Sequence, residues 1–143
     1  MAKMEKSVFV RAPVEVVFGY MDQPTTLLDI WPSLMEAWDV ERLPKGGKQW
    51  RWAYKMAGLR YEGASEDLEW VENQRVVSKT VGGIESTFIW TYEPEADGTR
   101  VSVEVEYVIP IPVLGKIAEA VVVKLNENDI DALLSNLQER MEA

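Results

Sequence analysis

Aromatic side chains offer the most chemistry in this sequence. Trp50, Trp52 and Tyr54 alternate with Arg51, Ala53 and Lys55, and Phe88, Trp90 and Tyr92 alternate with Ile89 and Thr91. That spacing points each set to one side of an extended strand. Tyr107 shares the parity of Val101, Val103 and Val105 in a third such run. A wall of this kind either fills a core or lines a pocket, and its indole N–H and phenol O–H tips need partners once buried. Six tryptophans in 143 residues, three of them on the inward faces of these strands, suit a ligand pocket with a few placed polar groups better than a dry core. The expected lining is Trp38, Trp50, Trp52, Tyr54, Met56, Tyr61, Phe88, Trp90, Tyr92 and Tyr107, covered by Ile117 and Val121 of a C-terminal helix. Its tyrosines could donate hydrogen bonds to a ligand carbonyl or act as weak acids.

Other chemistry is scarce. The chain has no histidine and no cysteine, which removes the commonest general base, the thiol nucleophile and the zinc thiolate. No clustered aspartate motif replaces them, so no metal, no cofactor and no catalytic residue are expected. Ser65, Ser78 and Thr80 should face inward, but a serine without a base is not an activated nucleophile. Glu62, Glu66, Glu104 and Glu106 fall on polar faces. They read as solvated, and no buried carboxylate pair is expected. Arg51 and Lys55 are placed to pair with such acids across the sheet. Gly46-Gly47 and Gly82-Gly83 lack the strand–loop–helix context of a phosphate cradle and read as hairpin turns.

The formal charge of −9 argues against nucleic acid or an anionic membrane as partner. No apolar run reaches the length of a membrane span or the core of a signal peptide, which excludes an integral membrane protein and makes the cytoplasm the default compartment.

These side chains need a scaffold, and the periodicity supplies one domain over residues 1–143. A first strand over Lys3–Arg11 ends at Ala12-Pro13. A helix follows over Val14–Met21, with Pro13 at its start, and a second short helix over Thr25–Ile30. From Ser33 the period changes to two, and six strands follow, separated by Pro44 and Gly46-Gly47, Gly58, Asn73, Gly82-Gly83 and Asp97-Gly98. Turns this close together imply an antiparallel meander. Beyond Pro112 the chain turns helical, with Leu114, Ile117, Ala118, Val121, Val122 and Leu125 on one broad apolar stripe that should be covered. Beyond Asn126 the apolar set moves to Ile130, Leu133, Leu134, Leu137 and Met141. At about 100° per residue this displaces the stripe by more than a quarter turn. The run Asn126-Glu127-Asn128-Asp129 therefore predicts a bend or break, or a second half packed on another wall, which leaves a homo-oligomer open.

The segment Val8-Phe9-Val10-Arg11-Ala12-Pro13-Val14-Glu15-Val16-Val17-Phe18, the Trp31-Pro32 exit, the hairpin Asp97-Gly98-Thr99-Arg100-Val101 and the helix start at Leu114-Gly115-Lys116 resemble the START/birch-pollen-allergen-like (SRPBCC) superfamily. The likeness is to its polyketide cyclase/dehydrase-like branch and covers nearly the whole chain. It implies an α+β helix-grip fold: a curved seven-stranded antiparallel sheet wrapped around a long C-terminal helix, with two short helices after strand 1. It also implies a hydrophobic small molecule or lipid held between sheet and helix. Two alternatives stand beside binding or transport: a polyketide cyclase/dehydratase-type enzyme using pocket tyrosines, and an accessory protein that assists maturation of a partner. The apolar hairpin Met56-Ala57-Gly58-Leu59 is the expected rim of the pocket mouth.

Overall fold

The structure, a computed structural model, describes residues 1–143. In chain order its elements are β1 (Ala2–Val10), α1 (Val14–Met21), α2 (Pro24–Leu27), β2 (Leu34–Arg42), β3 (Lys48–Met56), β4 (Leu59–Val71), β5 (Arg75–Gly82), β6 (Ser86–Glu95), β7 (Gly98–Tyr107) and α3 (Lys116–Glu142). The seven strands form one antiparallel sheet in the order β1-β7-β6-β5-β4-β3-β2. β2 to β7 are a meander, as the closely spaced turns require, and β1 adds to its far edge with Ala2 opposite Tyr107 and Val10 opposite Thr99. This is the helix-grip fold, a curved sheet around a long C-terminal helix with two short helices after the first strand.

Alternation sets the two faces of the sheet. Trp50, Trp52, Met56, Trp90, Tyr92, Val101, Val103, Val105 and Tyr107 are buried on the inner face, while Arg51, Lys55, Glu104 and Glu106 are exposed. Glu62 and Glu66 are exposed as well. The expected cross-strand pairing of Arg51 and Lys55 with acids does not form, because Arg51 lies opposite Trp38 and Ala64 and Lys55 opposite Arg60. The β3–β4 turn is two residues, Ala57 (φ 51) and Gly58 (φ 80), the positive-φ pair that matches the twist of a tight hairpin.

Two expectations about α3 are corrected. The helix runs unbroken from Lys116 to Glu142, because Asn126 and Asp129 do not turn their side chains on their own backbone. Asn126 Nδ2 donates to Tyr107 Oη at 3.0 Å. Asp129 accepts from Trp31 Nε1 and Tyr54 Oη, both at 2.7 Å, and from Ser33 Oγ at 2.7 Å and Ser33 N at 3.1 Å. In an unbroken helix, one of two opposed apolar stripes has to lose. The buried positions are Val122, Asn126, Ile130, Leu133, Leu134 and Leu137, a single stripe at helical spacing. Ile117, Val121 and Leu125 lie well over a quarter turn away and are exposed. The second half prevails because it seats on β1, where Gln138 Nε2 donates to Phe9 O at 2.8 Å and Glu142 accepts from the Arg11 amide at 3.0 Å. Burial of each of its leucines and Ile130 contributes roughly 1.5–3 kcal/mol.

Candidate functional site

Between the inner face of the sheet and α3 lies a partly open cavity of about 110 Å³, counted as space open to the centre of a water molecule. One water needs about 10–15 Å³ on that scale, so the space takes several waters or a compact organic molecule. The space exists because of what the central strands carry. Across β3, β4 and β5 the inner rows read Trp52–Gly63–Gly82, then Trp50–Ser65–Thr80, with Ser78 opposite Asp67. Large rings on β3 and β6 form the side walls, the small hydroxyl residues Ser65, Ser78 and Thr80 on β4 and β5 leave the floor low, and Gly63 makes room for the Trp52 ring to lie across β4. Gly63 is required there: a Cβ would stand 2.5 Å from the Trp52 ring and 2.4 Å from the Val81 carbonyl oxygen.

Of the residues expected at the site, Trp50, Trp52, Tyr54, Met56, Phe88, Trp90, Tyr92 and Tyr107 line this cavity, together with Ser65, Ser78 and Thr80. Phe88 stacks on Trp90 with ring centres 6.4 Å apart and meets the edge of Trp31, at 5.7 Å. Four expected residues lie elsewhere. Trp38 sits opposite Arg51 on the outer face, because the register of edge strand β2 shifts between Leu34 and Glu36 and its inward positions become Leu34 and Ala37, opposite Tyr54 and Trp52. Tyr61 shares the face of Tyr54 but packs half-buried on the core beside the hairpin, outside the cavity lining. Ile117 is 84% exposed and Val121 54% exposed, on the side of α3 turned away from the sheet. Their places are taken by Asn126 and Ile130. At the expected mouth, Met56 is buried and only Leu59 of the apolar pair is exposed.

The expectation that no buried carboxylate pair exists is overturned at the far end of the same cavity. Asp22, Lys48 and Asp67 are only 8%, 6% and 8% exposed. Lys48 Nζ lies 3.1 Å from Asp22 Oδ1 and 3.0 Å from Asp67 Oδ2, and the Lys48 amide also donates to Asp67 Oδ2 at 3.1 Å. Asp22 further accepts from Arg42 at 2.9 Å and from Trp70 Nε1 at 3.1 Å. Asp22 closes α1, Lys48 opens β3 and Asp67 lies within β4, so chain distance hides the cluster. Parity was the available signal: Lys48 continues the inward phase of Trp50 and Trp52 by one step, and Asp67 that of Ser65.

Electrostatics follow from this burial. Burial pushes the Asp67 carboxyl above the usual carboxylate range, and the adjacent Lys48 ammonium only partly offsets it. Burial, then the Asp22 and Asp67 charges, raise the Tyr92 hydroxyl well above an ordinary phenol. Burial and the Asp129 carboxylate do the same to Tyr54. Trp52 Nε1 is the one fully enclosed side-chain polar atom without a partner. The Tyr92, Ser65 and Ser78 hydroxyls form no hydrogen bond within the protein, so they open onto accessible space, and the space that they line is the cavity. No three carboxylates converge as metal ligands would.

Residues 1–142 match the family described as polyketide cyclase / dehydrase and lipid transport. No curated protein matches the chain. Among solved structures it is similar to a protein from Thermus thermophilus, at 23% identity and a TM-score of 0.83 over 98% of this chain and 97% of that one. A START superfamily protein from Mycobacterium smegmatis aligns at 20% identity and a TM-score of 0.81, with the same coverage of 98% and 97%. The Zhui aromatase/cyclase from Streptomyces sp. R1128 aligns at 15% identity and a TM-score of 0.78, over 99% of this chain and 93% of that one. At these identities the structural likeness is one of fold.

Proposed function

The chain belongs to the polyketide cyclase/dehydrase and lipid transport family, and from that premise we propose that it binds an apolar small molecule in the cavity between the sheet and α3. The observation that carries this reading is the cavity itself: aromatic walls around the hydroxyl residues Ser65, Ser78 and Thr80, set within the hydrophobic core. A tightly packed interior would fill such a hollow, because unfilled apolar space forfeits packing energy. Proposed ligand contacts are Trp50, Trp52, Tyr54, Met56, Phe88, Trp90, Tyr92 and Tyr107. A ligand that buries about 300 Å² of apolar surface gains on the order of 7 kcal/mol before association costs, which supports micromolar binding without a charged anchor.

The test is a fluorescence titration with Nile red, a neutral apolar dye. Saturable binding is expected for the wild type, and its loss for Ser78→Phe, which places a ring in the hollow while the circular dichroism spectrum is retained. Equal binding by both proteins, or by neither, would remove the cavity from consideration as the site.

A second reading, cyclase or dehydratase chemistry, is favoured by one observation. Asp67, with its raised carboxyl, lines the same space as the Tyr92 hydroxyl, so a carboxyl that exchanges a proton and a phenol that stays protonated would both face a substrate there.

A further inference from the structure

The chemistry of the cavity's far end says what kind of apolar molecule fits. Lys48 is the one cation that lines the cavity, and it is already held between two carboxylates. Arg42, the other cation of the cluster, is turned to Asp22 and stands outside the lining. The end wall is therefore neutral as a whole and keeps carboxylate oxygens, not a free ammonium, next to the ligand space. A carboxylate-headed ligand would have to shed its water and meet Asp22 and Asp67 with no free cation to pair with, a buried charge without compensation. Besides the Trp52 indole N–H, the groups of the lining left without partners include the hydroxyls of Tyr92, Ser65 and Ser78, each at most 9% exposed. Ser78 stands directly opposite Asp67 and Ser65 opposite Trp50 and Thr80. Hydroxyls both donate and accept, so they match carbonyl or hydroxyl oxygens on an uncharged molecule.

We infer that the cavity selects a compact neutral ligand, an aromatic or alicyclic body carrying hydroxyl or carbonyl oxygens, and that the Asp22–Lys48–Asp67 wall rejects carboxylate-headed lipids of similar size. The oxygens of that ligand face Tyr92, Ser65 and Ser78, and its rings lie against Trp50, Phe88 and Trp90. This inference rests on the cavity being a binding site and adds the sign and polarity of what enters it.

The experiment compares three probes of one shape by calorimetry at neutral pH: naphthalene, 2-naphthol and 2-naphthoate. The expected order is 2-naphthol tightest, naphthalene weaker, and 2-naphthoate weaker than 2-naphthol by roughly tenfold or more, the scale of a buried charge left without a free cation to pair with. Asp67→Asn, which frees one of the two bonds to Lys48, should then strengthen 2-naphthoate several-fold and leave naphthalene unchanged. Ser65→Ala with Ser78→Ala, a pair of small and well-tolerated changes, should erase the advantage of 2-naphthol over naphthalene. If 2-naphthoate binds the wild type as tightly as 2-naphthol, or naphthalene matches 2-naphthol, the inferred selectivity is wrong while the cavity remains a binding site. Failure of all three probes overturns both.

Discussion

Lys48 is the residue on which the polar end of the site turns. Its ammonium lies about 3 Å from each of two buried carboxylates, so its removal leaves those charges facing one another in a poorly solvated place. Lys48→Met should therefore destabilise the fold at neutral pH by roughly 3–5 kcal/mol, read as a lowered urea midpoint. The pH dependence has a definite sign. Asp67 holds its proton more tightly when folded than when unfolded. That contribution to stability is complete below the unfolded carboxyl value near 4 and is lost as the pH rises through the raised folded value. Without Lys48 the folded value rises further, so the gap between wild type and Lys48→Met should narrow on acidification from neutral pH. A gap of constant size down to about pH 4 would mean that the lysine does not hold Asp67 ionised.

At the scale of elements, one carboxylate of α3 gathers more hydrogen bonds than any other side chain of the helix. Asp129 accepts four hydrogen bonds, from Trp31, Ser33 and Tyr54, and through them joins the helix to the segment after α2 and to β3. Asp129→Ala would strand an indole N–H and a phenol O–H in a half-buried place. A loss of about 2–4 kcal/mol is expected in chemical denaturation, with Asp129→Asn intermediate. The same variant should red-shift tryptophan emission, since Trp31 loses both its partner and its fixed position. If Asp129→Ala is as stable as the wild type, the helix is held by its apolar stripe and its other hydrogen bonds, those to Tyr107, Phe9 and Arg11 among them.

For the whole molecule, stability is unevenly spread along α3, and the cavity begins where its weakly held first half ends, at Asn126. The second half of α3 is seated through Ile130, Leu133, Leu134 and Leu137, whereas Ile117, Val121 and Leu125 of the first half are exposed and Val122 alone is buried there among them. Amides of residues 118–125 should exchange with solvent at least about tenfold faster than those of 130–137, because local opening there breaks few apolar contacts. Saturation with a cavity ligand should slow that exchange if the ligand enters beneath this half-helix. Uniform protection along α3 would place the way in elsewhere.

Alternation alone determined most of the architecture. The period-two runs through Trp50, Phe88 and Val101 predicted which faces are buried, because a register slip of one residue would turn every one of those rings to water. The turns at Gly58, Gly82-Gly83 and Asp97-Gly98 predicted the meander, and parity placed Ser65, Ser78 and Thr80 inside. Three matters depended on tertiary structure. Trp38 left the inner face because an irregularity between Leu34 and Glu36 breaks the strict count, and a bulge has no clear mark in composition. Ile117 and Val121 lost to the second stripe because an unbroken helix seats only one of two opposed stripes, and the choice depended on β1, more than a hundred residues away in sequence. Asp22, Lys48 and Asp67 read locally as a helix end, a strand start and a strand interior. The β3–β4 register sets Lys48 beside Asp67, but only the packing of α1 against the sheet adds Asp22, and the electrostatic gain that repays their burial is a property of the cluster and of none of its members alone.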